Sequence, residues 1–175
     1  MKTSLAGAVA LMAARRGFAA VNRGEEMSPG RLSLYNTHNG ERLSVAFRDA
    51  AGNYDLDSLN SLNWILRCHF TNEATTIDAN TLEFLSMVDK RLGGDNEIHI
   101  ISGYRSPRYN TLLRSNGRGV ASKSLHLSGR AVDIAIPGQS LEHIRKIALD
   151  LRMGGVGYYP GAGFVHLDSG AVRTW

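Results

Sequence analysis

The stretch SLHLSGRAVDI, residues Ser124 to Ile134, combines a histidine, a glycine turn and an aspartate flanked by Val132 and Ile134. From Arg130 to Ile136 the residues alternate as in a strand, with Val132, Ile134 and Ile136 on one face and Ala131, Asp133 and Ala135 on the other. The bulky face reads as core. The opposite face is small except for a carboxylate, and burying an unpaired carboxylate costs several kcal/mol or more. Either a metal ion or an arginine must compensate Asp133.

Ser128-Gly129 supplies a turn that can bring His126 back beside Asp133. A second strand, Phe164 to Asp168, sets Val165 and Leu167 against Phe164, His166 and Asp168. Two strands therefore each offer a ligand-capable side chain. Two histidines and a carboxylate match a catalytic zinc site, where the remaining position takes a water whose pKa falls to about 7. From spacing alone, structural histidines and an Asp–Arg pair fit the same residues.

Around these strands the chain reads as a mixed sequence of elements. Leu32, Leu34, Leu43, Val45 and Phe47 recur with period two about Asn39-Gly40, a hairpin signal, with His38 in the exposed loop. Leu56, Leu59, Leu62, Ile65 and Leu66 recur at helical spacing behind Asp55 or Asp57 as N-cap. A second helix runs from about Asp78 to Leu92 and ends at Gly93-Gly94. EIHIISGYRS is a strand running into a loop, and a short helix follows Pro107. SLEHIRKIALDLR is an amphipathic helix capped by Ser140 and stopped by Gly154-Gly155, and a last hairpin turns at Pro160-Gly161. No repeat is present and βαβ units are few. The expected class is α+β, a mainly antiparallel sheet with flanking helices.

At 175 residues the chain is expected to form one domain over 31–175, preceded by a leader and a Gly/Glu/Ser/Pro-rich linker over 1–30. Lys2 and the apolar run Leu5 to Ala14 resemble a signal peptide and are too short to span a bilayer, whereas Arg15 and Arg16 stand on the wrong side of that run. Export is the expected fate, and no stable membrane span is expected. Cys68 is the single cysteine, which rules out an internal disulfide and limits any metal site to histidine and carboxylate ligands. It falls in an apolar helical pattern and reads as core. The net charge of +4 suits an anionic partner such as a cell-wall polymer, and no basic stretch interleaved with aromatics points to nucleic acid.

SLHLSGRAVDI resembles the Ser-x-His-x-x-Gly-x-Ala-x-Asp signature of the zinc D-Ala-D-Ala metallopeptidases, relatives of the lysostaphin- and hedgehog-like folds. IISGYRS, GGVGYYP and FVHLDSGAVRTW are similar, in the same order, to the MepK-like murein endopeptidases. The resemblance covers about residues 31 to 175. It implies the D-Ala-D-Ala metallopeptidase/hedgehog-like fold and Zn2+ held by His126, Asp133 and His166. It also implies that Arg105 stabilises the developing oxyanion, for which a guanidinium offers fixed donors. Arg105 paired with an acid to hold its loop is the competing reading.

One departure stands out. Many relatives place Glu or His two or three residues before the third ligand as general base, where this chain has Phe164 and Gly163. Asp168 is then the candidate base, or else it orients His166; Tyr158 and Tyr159 are candidates to polarise substrate or water. His69, His99 and His143 lie in helix or strand patterns and read as structural. The resemblance implies a zinc-dependent hydrolase of peptidoglycan cross-links, exported to the periplasm, with a zinc-activated water as nucleophile. A D,D-carboxypeptidase of the same family, or a non-catalytic wall-binding protein that keeps the metal site, are the alternatives.

Overall fold

A computed structural model describes residues 28–117 and 121–175 of the chain. The first strands, β1 (Gly30–Asn36) and β2 (Arg42–Arg48), form the expected hairpin. Helix α1 (Leu56–Ile65) starts at Asp55, whose carboxylate accepts the Ser58 N–H, and α2 (Ala79–Arg91) starts at Asp78. Strand β3 (Glu97–Ser102) leads into α3 (Pro107–Ser115), capped by the fully buried Ser106. A single 3-10 turn, Leu125–Ser128, precedes β4 (Ala131–Ala135). Helix α4 (Leu141–Leu151) follows, capped by Ser140, and then the hairpin of β5 (Gly155–Tyr159) and β6 (Phe164–Asp168). A two-residue strand, β7 (Arg173–Thr174), lies near the end.

The class is α+β, but the sheet is mixed. Its order is β2-β1-β3-β4-β6-β5-β7. Most neighbours are antiparallel, whereas β1 pairs with β3, and β5 with β7, in parallel. The β1–β3 pairing follows from the intervening α1 and α2, which carry the chain back before β3 enters the sheet. One face of the central strands is apolar. Val132, Ile134, Val165, Leu167 and Val156 are buried there and join Leu82, Leu85 and Val88 of α2 and Ile144 and Ala148 of α4 in one core. Burying a side chain of this size contributes about 1.5–3 kcal/mol. The opposite face of β4 and β6 carries Asp133, His166 and Asp168, all buried.

Three local expectations change. Leu56, assigned to the apolar stripe of α1, is 72% exposed, because it is the first helical residue and precedes the face that meets the core. Helix α1 ends at Ile65, so Cys68 lies beyond it; the thiol is buried, as expected, and contacts Ser106 Oγ at 3.6 Å. Helix α4 ends at Leu151, capped by Arg152 in the left-handed conformation with φ 52°, and not at Gly154-Gly155. Those glycines serve packing instead. A Cβ at Gly154 would run into the Asp168 carbonyl, and one at Gly155 would lie 2.5 Å from the Asp168 carboxylate. The leader and most of the linker expected over 1–30 lie outside the described residues. Among the described residues, no helix is long and apolar enough to cross a membrane.

Candidate active site

The sheet register brings the site together. Asp133 of β4 is the direct cross-strand partner of His166 of β6, and Ser102 of β3 is the partner of Asp133 on its other side. Directly paired residues share a face, so Asp133 and His166 meet with no loop involved. His126 arrives from the 3-10 turn, which closes at Gly129 with φ 65°. The Gly129 carbonyl accepts the Asp78 N–H at 2.9 Å, tying the turn to the start of α2. A Cβ at Gly129 would strike the Thr76 carbonyl, so glycine is required there for space as well as for φ.

His126, Asp133 and His166 present ligand atoms that all lie within 4.8 Å of one another, on buried residues. Each ring is held by its far nitrogen. His126 Nδ1 lies 2.7 Å from the Gly103 carbonyl, an acceptor only, so Nδ1 carries the proton and Nε2 presents a lone pair. His166 Nε2 lies 3.0 Å from Asp168 Oδ2, which likewise turns the Nδ1 lone pair inward. Asp133 Oδ1 faces both, 2.8 Å from His166 Nδ1 and 3.2 Å from His126 Nε2, and the two nitrogens are 3.2 Å apart. Three potential ligand atoms thus converge, a grouping that a metal ion can satisfy together. Tetrahedral zinc ligands at about 2.0–2.1 Å stand roughly 3.3 Å from one another, close to these separations. The residues fit a zinc ion, with a ring-orienting acceptor behind each histidine.

Of the two answers that the sequence allows for Asp133, the arginine is in place and the three converging ligand atoms leave room for the metal. Arg105 donates from Nη2 to Asp133 Oδ2 and from Nε to Ser102 Oγ at 2.8 Å. Its own N–H donates to the His126 carbonyl at 3.1 Å, so the arginine and histidine loops are joined. Burial works against the Asp133 carboxylate, but His126, His166 and Arg105 outweigh it and hold its pKa well below the usual carboxylate range. Burial pushes His126 down, toward the neutral imidazole that a metal needs. Burial also opposes a charge on His166, but hydrogen bonds to Asp133 and Asp168 prevail and raise it.

Asp168 is fully buried, and donors surround it. Oδ1 accepts from Gly155 N–H, Gly170 N–H and Arg173 Nη1, and Oδ2 from His166 Nε2 and Arg173 Nη2. These bonds overcome burial and hold it well below its usual pKa. Tyr158 pairs with Val165 on the core side, and its ring lies 5.2 Å from the Arg145 guanidinium. Tyr159 shares the site face with Phe164, and its hydroxyl accepts from Trp175 Nε1 at 2.6 Å.

Residues from outside the anticipated set also border the site. Trp175 lies against His166, ring centroids 5.3 Å apart, over Gly157, where a Cβ would come 2.8 Å from the indole. The sequence signal was a glycine inside a strand, which often marks a close approach. On the other side His38 stacks on His69 at 3.5 Å, and Tyr109 meets His69 edge-on at 4.7 Å. Burial, then His38 and Arg105, push His69 down to about 4. Neither histidine stood out, since one lies in a turn and the other in what reads as a helical pattern. His99 and His143 stand apart from the cluster, beside Glu97 and Gln139.

Residues 25–175 match the family model described as peptidoglycan L,D-endopeptidase MepK. The chain belongs to the MepK family. It is 43% identical over 147 residues to the peptidoglycan L,D-endopeptidase MepK of Escherichia coli, covering 84% of this chain and 80% of that protein. The Shigella flexneri MepK gives the same figures, 43% and 84% with 80%. The probable peptidoglycan L,D-endopeptidase MepK of Haemophilus influenzae is 40% identical over 148 residues, covering 84% of this chain and 79% of that protein. As matched, the MepK family model takes in every residue of the His126, Asp133 and His166 cluster together with Arg105, Asp168 and Trp175.

Proposed function

We propose that this MepK family member is an exported, zinc-dependent murein endopeptidase that hydrolyses peptide cross-links of peptidoglycan. The observation that carries the reading is the convergence of His126 Nε2, Asp133 Oδ1 and His166 Nδ1, each held from behind, beside Arg105. In this reading residues 31–175 form the catalytic domain, of the D-Ala-D-Ala metallopeptidase/hedgehog-like fold, and 1–30 are the leader and linker that direct it to the periplasm.

His126, Asp133 and His166 would hold the metal. When bound, zinc supplies the Lewis acidity that lets water attack an amide carbonyl near neutral pH. Hydrolysis breaks the amide C–N bond, with hydroxyl added at carbon and a proton at nitrogen. Arg105 would donate from its guanidinium to the carbonyl oxygen as that atom gains charge, a role that its place beside the candidate ligands supports. Its bond to Asp133 fixes both groups in place, so holding the loop and serving the reaction are one arrangement. Asp168 acts through His166. Its oxygens are occupied by donors, which supports an orienting role over a base.

The test is incubation of the purified protein with cross-linked muropeptides, with and without chelator. Cleavage that stops with chelator and returns with zinc is expected. Tight zinc binding with no turnover of any cross-link would instead mark a non-catalytic wall-binding protein.

A further inference from the structure

The residues bordering the site fall on one line across the strands. His38 Nε2 is 2.9 Å from the Ile101 carbonyl at the end of β3, just beyond the register of β1 on β3. Ser102 pairs with Asp133, Asp133 with His166, and His166 with Gly157, under Trp175. From β1 to β5 the sheet order is β1-β3-β4-β6-β5, four spacings. At about 4.8 Å each, the line is roughly 19 Å long. An extended peptide advances about 3.3–3.6 Å per residue, so five or six residues lie along it. The candidate metal ligands occupy its middle.

Both ends are aromatic, open to solvent and rigidly held. Trp175 is 47% exposed, yet its main chain is paired with β5 through Tyr158 N–H to Trp175 O at 3.1 Å and Trp175 N–H to Val156 O at 3.4 Å. Its indole N–H is tied to Tyr159, and the Arg173 guanidinium packs 4.8 Å from the ring. At the other end the exposed His38 stacks on His69, beside Tyr109 and Phe70, whose rings stack at 5.2 Å. The Arg108 guanidinium lies 5.5 Å from Phe70. Exposed rings pinned on both flanks of a reactive centre waste apolar surface unless something covers them.

We infer that the substrate peptide lies across the strands, on the His38–His69 stack on one side of the scissile bond and on Trp175 on the other. This rests on the murein endopeptidase reading and deepens it. A carboxypeptidase must close one side around a free terminus. Here both sides carry an open aromatic wall, which suits a chain continuing past the cut in both directions. His69 and Trp175 are thus specificity-determining residues for a cross-linked substrate.

The test uses zinc-loaded full-length protein, a cross-linked peptide dimer from murein and an uncross-linked stem peptide. Trp175→Ala and His69→Ala are each expected to raise KM for the dimer about tenfold or more, with kcat changed less than threefold and zinc content unchanged. Trp175→Phe, which keeps a ring, should recover most of the loss. Dimer binding should quench wild-type tryptophan fluorescence, and the quench should vanish in Trp175→Phe although Trp64 remains. A KM rise in only one of the two alanine variants would overturn the two-sided cleft, and unchanged KM in both would overturn it outright. If wild-type protein neither binds nor cleaves the dimer, the murein reading falls and the cleft with it. Wild-type cleavage with unaffected variants removes the cleft alone.

Discussion

Asp133 and His166 are direct partners across two antiparallel strands, and Asp133 Oδ1 lies 2.8 Å from His166 Nδ1. Because side chains alternate with period two, a slip of one residue would turn one of them into the core. Pairing of Val132 with Leu167 and of Ile134 with Val165 holds the register. The same apolar contacts that stabilise the sheet therefore align the candidate ligands.

One zinc per chain is expected by elemental analysis. His126→Ala and His166→Ala should each abolish tight binding while circular dichroism keeps the native signature, since both groups lie on the face away from the main core. A double variant that still holds stoichiometric zinc would refute the ligand assignment.

Arg105→Lys should lower turnover on the order of a hundredfold or more, with zinc content little changed. Lysine keeps the charge but cannot bridge Ser102 and Asp133 with a planar fork. Turnover near wild type would reduce Arg105 to a diffuse charge.

Asp168→Asn separates orientation from proton transfer. Three donors meet Oδ1 and two meet Oδ2, so the amide must point its NH2 at two or more of them. Orientation of His166 predicts zinc affinity lowered about 10- to 100-fold in both Asp168→Asn and Asp168→Ala, with turnover largely restored by saturating zinc. A general base predicts the reverse, with zinc affinity kept and turnover lost at any zinc concentration.

His69 makes stability depend on pH. Its pKa falls from an ordinary 6.5 to about 4 in the fold, so below pH 6.5 the unfolded chain binds the extra proton. The contribution is complete above pH 6.5 and is lost as pH falls toward 4. The slope cannot exceed the roughly 1.4 kcal/mol per pH unit of one proton, and solvent screening at this half-buried site narrows the pH window over which it acts. Denaturant titrations at several pH values should give a shallower acid slope for His69→Gln than for wild type. Equal slopes would mean that the ring titrates alike in both states.

Gly129→Ala should destabilise the fold by about 2–4 kcal/mol, from a left-handed backbone and contact with the Thr76 carbonyl. Because Gly129 closes the turn that carries His126, zinc affinity should fall with the melting temperature. Unchanged values for both would show that the turn adapts.

What the sequence by itself determined was local. Period-two runs placed the hairpin of Leu32 to Phe47 and the strands around Asp133 and His166, and Asp55, Asp78 and Ser140 marked helix starts, because caps and periodicity act within a few residues. His126, Asp133 and His166 were legible because they sit in one short signature and one strand. Tertiary structure decided what depends on groups distant in the chain. The parallel pairing of β1 with β3 joins segments separated by two helices. Gly154 and Gly155 are spent on contact with Asp168, so Arg152 takes the left-handed cap. The same Asp168 is closed in by Arg173 and His166, and His38 reaches His69 and the end of β3. No local pattern encodes which buried acceptor meets which donor, because that choice is made only when strands distant in the chain come into register.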